Sequence, residues 1–334
     1  MPKKVILFGE YLLRLTPPEQ QKLLQAQVLE MHWAGSEANV GVSLSLLGDA
    51  VMYVTCLPQN TLAQTGLAQL YKYNITTHVH WKEGRVGLFF YESGIGVRSG
   101  KVLYDREPSS FSLLQKGELN WNVILDEGDW FHWSGITPAL TESLIDVCEE
   151  ALLAAKEKRL FISADFNYRS TLWNHAVPCR DAMPKLLQYC DLVLADVDAA
   201  KLYLDVAPDA DHLVESTCAL IKEMLPNVQY IAMTMRNQSS EAGQTYNGYL
   251  WQNGSLVTSK PYPVNIVAER MGTGDAFMAG LIYMLRNKKE PSEAIEFATA
   301  CGALKHTITG DFNLAGKEEI EGLMTQSGYA KIIR

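Results

Sequence analysis

Short runs of consecutive apolar residues alternate along this chain with longer stretches in which apolar residues recur every three or four positions. That alternation predicts βαβ units and a parallel sheet. Val5–Phe8 reads as a buried strand, and a helix over Glu37–Leu47 leads to a strand at Val51–Cys56. A strand at Trp130–Trp133 is followed by an amphipathic helix over Ala139–Lys156. Further strands are expected at Leu160–Ala164, Leu192–Leu194 and Tyr230–Thr234, each with polar residues at its C-terminal end. In open α/β sheets those ends are where ligands bind. A second texture interrupts the first: Tyr11–Leu15, Val28–Trp33, His78–Trp81, Arg85–Tyr91 and Lys101–Tyr104 read as hairpin strands without intervening helices. The pattern therefore predicts an α/β body from residues 1–10, 34–75 and 111–334. A small β-sheet lid from residues 11–33 and 76–110 is inserted into it.

Composition narrows the class. The 334 residues carry a net charge of −9, which argues against nucleic acid and anionic membranes as main partners, since both demand a basic face. The apolar run Val5–Phe8 is too short for a signal-peptide core, and no window reaches the roughly 18 apolar residues of a membrane helix. A cytoplasmic protein is expected. The six cysteines are scattered without C-x-x-C or metal-finger spacing and read as reduced core residues.

Three segments carry candidate chemistry. In Arg270-Met271-Gly272-Thr273-Gly274-Asp275, the glycines precede a helical apolar pattern, so free backbone N–H groups would form an anion site at a helix N-terminus. An aspartate beside such a cradle repels the anion, but it makes sense as the group that takes a proton from the attacking nucleophile. The plainer alternative is a glycine turn with Asp275 as a cap. In Trp33-Ala34-Gly35-Ser36-Glu37-Ala38-Asn39, Ser36 reads either as a helix cap with Asn39 solvated, or as part of a wall where Gly35 and Asn39 meet a polyhydroxy ligand. The third segment, Asp165-Phe166-Asn167-Tyr168-Arg169, is either a polar turn or a guanidinium aimed at a carboxylate or phosphate from a strand end. Walker, Rossmann, zinc-protease and serine-hydrolase signatures are missing.

Together these segments resemble the ribokinase-like, PfkB-type carbohydrate kinases. Gly272-Thr273-Gly274-Asp275-Ala276-Phe277 is similar to that family's G-A-G-D-x-F motif. Within the family, three further segments resemble the 2-keto-3-deoxygluconate kinases most closely. These are Gly9-Glu10 with Leu13-Arg14-Leu15-Thr16-Pro17-Pro18, Gly35-Ser36-Glu37-Ala38-Asn39-Val40, and the run Asp165–Trp173. The resemblance implies a three-layer α/β/α body with a mostly parallel central sheet, a β-sheet lid over the sugar, and a homodimer formed through the lid. It also implies ATP with Mg²⁺ and γ-phosphoryl transfer to a primary hydroxyl, a phosphotransferase with an alcohol acceptor. By the same resemblance Asp275 is the base, and the backbone of Gly272, Thr273 and Gly274 is the anion hole. Gly35, Asn39, Phe89, Tyr104, Arg106, Arg169 and Asp311 fall at sugar positions, and Asp196, Asp198, Thr234 and Arg236 at nucleotide positions. The pattern departs from the family in three places: Phe89 stands for a tyrosine and Glu269 for an aspartate, while Asp196 and Ala199 replace the ends of an N-x-x-[ED] motif, with Asp198 one residue away. Arg106 and Arg169 would supply positive charge for a sugar acid. The alternatives are a kinase of fructose, ribose or another sugar, and a weakly active or non-catalytic sugar-acid sensor on the same scaffold.

Overall fold

In the computed structural model, which describes residues 3–239 and 243–325, the large sheet is built around a run of parallel strands. In chain order the strands are β1 (Lys4–Phe8), β2 (Leu12–Thr16), β3 (Glu30–Ala34), β4 (Val51–Leu57), β5 (Thr76–Trp81), β6 (Leu88–Glu92) and β7 (Lys101–Asp105). They continue as β8 (Gly128–Ser134), β9 (Phe161–Asp165), β10 (Leu192–Ala195), β11 (Tyr230–Ser239), β12 (Gly243–Gln252), β13 (Ser255–Thr258) and β14 (Tyr262–Pro263). The large sheet runs β13-β12-β11-β10-β9-β8-β1-β4-β5, with β14 pairing β12. From β5 to β11 every pairing is parallel, and β12 and β13 add antiparallel at one edge.

Two buried apolar clusters cover its faces. One packs Leu144, Val147, Ala151 and Leu186 against Ile6, Phe131 and Ile162; the other packs Val40, Leu44, Phe277, Leu281 and Ile295 against Val5, Leu7 and Leu250. Alternate residues of β1 thus feed opposite layers, as the two-residue period of a strand requires. The result is the three-layer body the sequence implied. Its helix Thr273–Arg286 is apolar on nearly every side, with Ala276–Ile282 all buried. A helix buried on most of its surface is held in one register, which fixes the residues at its N-terminus.

The small sheet is β3-β2-β6-β7. Its two hairpin-like pairs, β2–β3 and β6–β7, are antiparallel, while β2 and β6 meet in parallel. One expected lid strand lies elsewhere: His78–Trp81 belongs to β5, which pairs with β4 at the edge of the large sheet. The helix Thr61–Lys72 joins the two as a βαβ crossover, and a half-exposed edge strand alternates just as a hairpin strand does. The lid strands of the second stretch therefore start at Leu88.

The helix expected over Ala139–Lys156 is two helices, Ile136–Leu140 and Glu142–Glu157. Thr141 between them is extended, and its hydroxyl accepts from the N–H of Leu144, an N-cap that the apolar period alone does not reveal. No helix among the described residues is long and apolar enough to cross a membrane.

Candidate active site

The glycine turn, the start of the helix Ser36–Leu46 and the carboxyl-terminal end of β9 converge on Asp275. Gly272 is the N-cap of its helix with φ at 78°, and a side chain there would strike the carbonyl oxygen of Asp311. Glycine is required for both reasons. The first-turn N–H groups of Gly274 and Asp275 have no acceptor within the helix, while that of Thr273 makes a long 3.5 Å bond to the carbonyl of Arg270. In front of Gly274 the space is open: a methyl group added there would have Oδ2 of Asp165 as its nearest neighbour, at 4.0 Å. An anion can therefore approach this backbone closely.

Asp275 does not cap its own helix. It is buried, and its two carboxylate oxygens accept from the helix Ser36–Leu46: Ser36 Oγ donates to Oδ1 and Asn39 Nδ2 to Oδ2, both at 2.7 Å. Asn39 is accordingly buried, and its own Oδ1 has no partner. Ser36 is the first residue of that helix, whose N-cap is Gly35. A side chain on Gly35 would meet the carbonyl of Glu10 at 2.5 Å, so the glycine lets the helix start against the end of β1. Burial raises the Asp275 carboxyl above its ordinary range, opposed by the Asn39 and Ser36 hydrogen bonds and by the charges of Arg169 and Lys305. Asp165, at the end of β9, is pushed up to about 8 by burial and by the charge of Asp275. Its Oδ1 accepts the N–H of Asn167, whose left-handed φ of 40° turns the amide toward Ser36 at 3.0 Å. Arg169 beyond it is exposed.

The lid side of the site is closed by buried ion pairs. Arg14 on β2 lies 3.2 Å from Glu269 and 3.0 Å from Asp311, with all three side chains almost wholly buried. Asp311 therefore faces an internal cation, and burial still pushes its carboxyl up to about 7. Glu269 also accepts the N–H groups of Arg270 and Met271, so its extra methylene relative to aspartate is taken up in clasping the start of the glycine turn. Arg106 is buried, not on the surface; Nε donates to Glu10 at 2.8 Å, Nη2 bonds the same oxygen, and the guanidinium stacks 5.5 Å over the Tyr104 ring. Phe89 is buried beside Tyr104 on the adjoining strand.

The nucleotide-position residues separate into two groups. Arg236 reaches the glycine turn, donating to Thr273 Oγ1 at 2.9 Å and to His306 Nε2 at 3.2 Å. The other ring nitrogen of His306 donates to the carbonyl of Gly302 at 2.7 Å, and burial and Arg236 drive the imidazole down to about 4, so it is neutral. Thr234 lies half-buried earlier on the same strand, opposite Gly248. Asp196 caps the helix Val197–Leu204 by accepting the N–H of Ala199 at 2.8 Å, a task asparagine performs equally well. Asp198 stands apart, exposed and 3.8 Å from Lys201.

Three contributors are not evident from the sequence. Ser36 reads there as a helix cap, Arg14 carries no role of its own, and Lys305 does not stand out at all. Lys305 is buried; its Nζ donates to the carbonyl of Ile308 at 2.9 Å, and its Cε lies close under Gly272. Burial lowers it to about 8, against the pull of Glu269 and Asp311. A lysine after a long apolar helix pattern is its only signal.

The chain matches the profile of the pfkB family carbohydrate kinases over residues 2–313. It is 29% identical to the 2-dehydro-3-deoxygalactonokinase of Haloferax volcanii over 335 aligned positions, covering 100% of both chains. Among solved structures, the 2-dehydro-3-deoxygluconokinase of Thermotoga maritima superposes with a TM-score of 0.91 at 32% identity, covering 98% of this chain and 99% of that one. An ATP-bound fructokinase of Xylella fastidiosa shares the fold at a TM-score of 0.79 and 20% identity, covering 97% and 98%. The chain belongs to the pfkB family of carbohydrate kinases, close to the kinases of 2-keto-3-deoxy sugar acids.

Proposed function

We propose that this kinase uses ATP to phosphorylate the 6-hydroxyl of 2-keto-3-deoxygluconate, or of a stereoisomer in the same class of keto-deoxy sugar acids. The observation that carries this reading is the buried Asp275 carboxylate, held by two donors beside unpaired N–H groups and an open glycine face. On this reading Asp275 takes the hydroxyl proton as that oxygen attacks the γ-phosphorus, and the bond to the β–γ bridging oxygen breaks to release ADP. The N–H groups of Gly274 and Asp275 would meet the developing charge on the transferred group, with Gly272 and Thr273 shaping the turn. Among the described residues no cluster of three or more His, Cys, Asp or Glu side chains is arranged to hold a metal ion. Mg²⁺ would arrive with ATP, neutralising phosphate charge, and needs no such cluster of protein ligands.

Asn39 Oδ1 and Glu10 Oε1 are buried acceptors without partners, and a polyol supplies the hydroxyl donors they lack. Arg169 is the exposed guanidinium available to the substrate carboxylate. One observation favours a neutral sugar such as fructose instead: Arg106, the other cation expected for the acid, is already neutralised by Glu10. Coupled ADP release with Mg-ATP across sugars and sugar acids separates the two. Turnover on keto-deoxy acids supports the proposal, turnover confined to neutral sugars removes it, and binding without turnover points to a sensor.

A homodimer through the small sheet belongs to the same proposal. Met31 on β3 and Leu103 on β7, which the register places on one face, are exposed apolar residues that a second copy would cover. Light scattering at micromolar concentration is expected to give twice the 37.3 kDa chain mass; a monomer would contradict it.

A further inference from the structure

Ser36 approaches Asp275 from outside its own helix, and what its hydrogen bond does to the carboxylate goes beyond the reading above. Its surroundings fix the direction of its hydrogen bond. Asn167 Nδ2 donates to Ser36 Oγ at 3.0 Å, so the hydroxyl proton is left for Asp275 Oδ1 at 2.7 Å. Asn167 in turn is held by its left-handed backbone and by its N–H on Asp165. The chain Asp165, Asn167, Ser36, Asp275 thus joins the end of β9 to the glycine-turn helix across the site. Asn39 holds the opposite oxygen. A carboxylate bound at both oxygens by donors on a second helix is held in one plane, and those two bonds oppose the rise that burial imposes on it.

We propose that Ser36 is a positioning residue for Asp275, its hydroxyl, backed by the Asn167 amide, fixing the carboxylate plane and favouring the ionised form that can accept a proton. The inference rests on Asp275 being the base only for its kinetic consequence; the hold on the carboxylate stands on geometry. Other charges also face Asp275. Glu37 comes from the helix of Ser36, and Asp165 and Arg169 from the end of β9. Lys305 comes from the end of the helix Pro291–Lys305, and Asp311 from the loop after it. The carboxyls disfavour ionisation and the two cations favour it. All of these groups are common to the unmodified protein and the Ser36 variants, so the Ser36 bond is read as a difference in the direction of ionisation.

The test is a carbon-13 titration of aspartate carboxyls in the intact protein, with the Asp275 resonance assigned by its loss in Asp275→Asn. In Ser36→Ala its midpoint is expected about one pH unit higher, in line with loss of a hydrogen bond to a charged acceptor. Ser36→Thr, which keeps the hydroxyl, restores it. Asn167→Gly, which tolerates the left-handed backbone, gives a smaller rise in the same direction. In kinetics the acid limb of the kcat/KM profile moves up with the titration, while KM for ATP is unchanged. A midpoint unmoved in both Ser36→Ala and Asn167→Gly overturns the inference. A moved midpoint together with full turnover in Asp275→Asn leaves the Ser36 bond standing and removes Asp275 as the base.

Discussion

The two walls of the site are built on different principles. The glycine-turn wall, Gly272 to Asp275, is local: four consecutive residues at one helix N-terminus, where first-turn backbone N–H groups are left without helical acceptors. The lid seam is long-range. Arg14 meets Glu269 across 255 residues of sequence, and Arg106 meets Glu10 across 96. The first wall exposes its polar groups to a ligand, whereas the second consumes its charges internally. Cations near a candidate anion site are therefore not equivalent. Arg106 and Arg14 hold the architecture together, and Arg169 and Arg236 are the ones whose reach extends to the open face.

The sharpest way to break this contrast is at the local wall. Asp275→Asn is expected to lower kcat by roughly 10²–10⁴ while ATP affinity by calorimetry stays close to that of the unmodified protein. Near-normal turnover would put the proton elsewhere. At the seam the expected damage is to stability. Arg14→Ala strands Glu269 and Asp311 as buried carboxyls without their cation and should lower the unfolding free energy by about 3–5 kcal/mol, read from denaturant curves. A loss below ~1 kcal/mol would mean that these carboxyls are already neutral in the folded state.

Arg169→Ala probes the division between the two kinds of arginine. Loss of one charge-assisted contact predicts a KM for the sugar acid about 10–100-fold higher, with KM for ATP and thermal stability unaffected. A rise in KM for ATP instead would assign Arg169 to the nucleotide.

The smallest effect is a pH dependence. Folding raises Glu37 and Asp311 to about 7 and Asp165 to about 8, well above their unfolded values. Between about pH 6.5, where unfolded histidines are losing their protons, and about pH 7.5, below the point where Lys305 at about 8 sheds its proton in the folded state, these carboxyls hold protons that the unfolded chain has lost, and stability falls as pH rises. Glu37→Gln removes one of these groups and should flatten the slope of unfolding free energy against pH across that window. An unchanged slope would show that Glu37 titrates normally.

What the sequence reveals follows the same division. The α/β body is legible because buried parallel strands and helix periods are local patterns, and the glycine turn is legible because its residues are contiguous. The assignment of His78–Trp81 to the lid fails because alternation reports one half-exposed face without saying which sheet owns it. The break at Thr141 is hidden because both flanking segments share one apolar period. Arg106 reads as a cation free for a sugar acid because its partner lies nowhere near it in sequence, and Ser36 reads as a cap because its acceptor comes from a different helix. Tertiary hydrogen bonds between distant residues leave no periodicity to detect.

The most direct test of the central claim is phosphorus NMR of the product mixture from Mg-ATP and 2-keto-3-deoxygluconate. The expected result is a phosphomonoester coupled to the C6 methylene protons, formed in equal amount with ADP, and its near-disappearance in Asp275→Asn. No ester from this acid, with one formed from fructose under the same conditions, would contradict it.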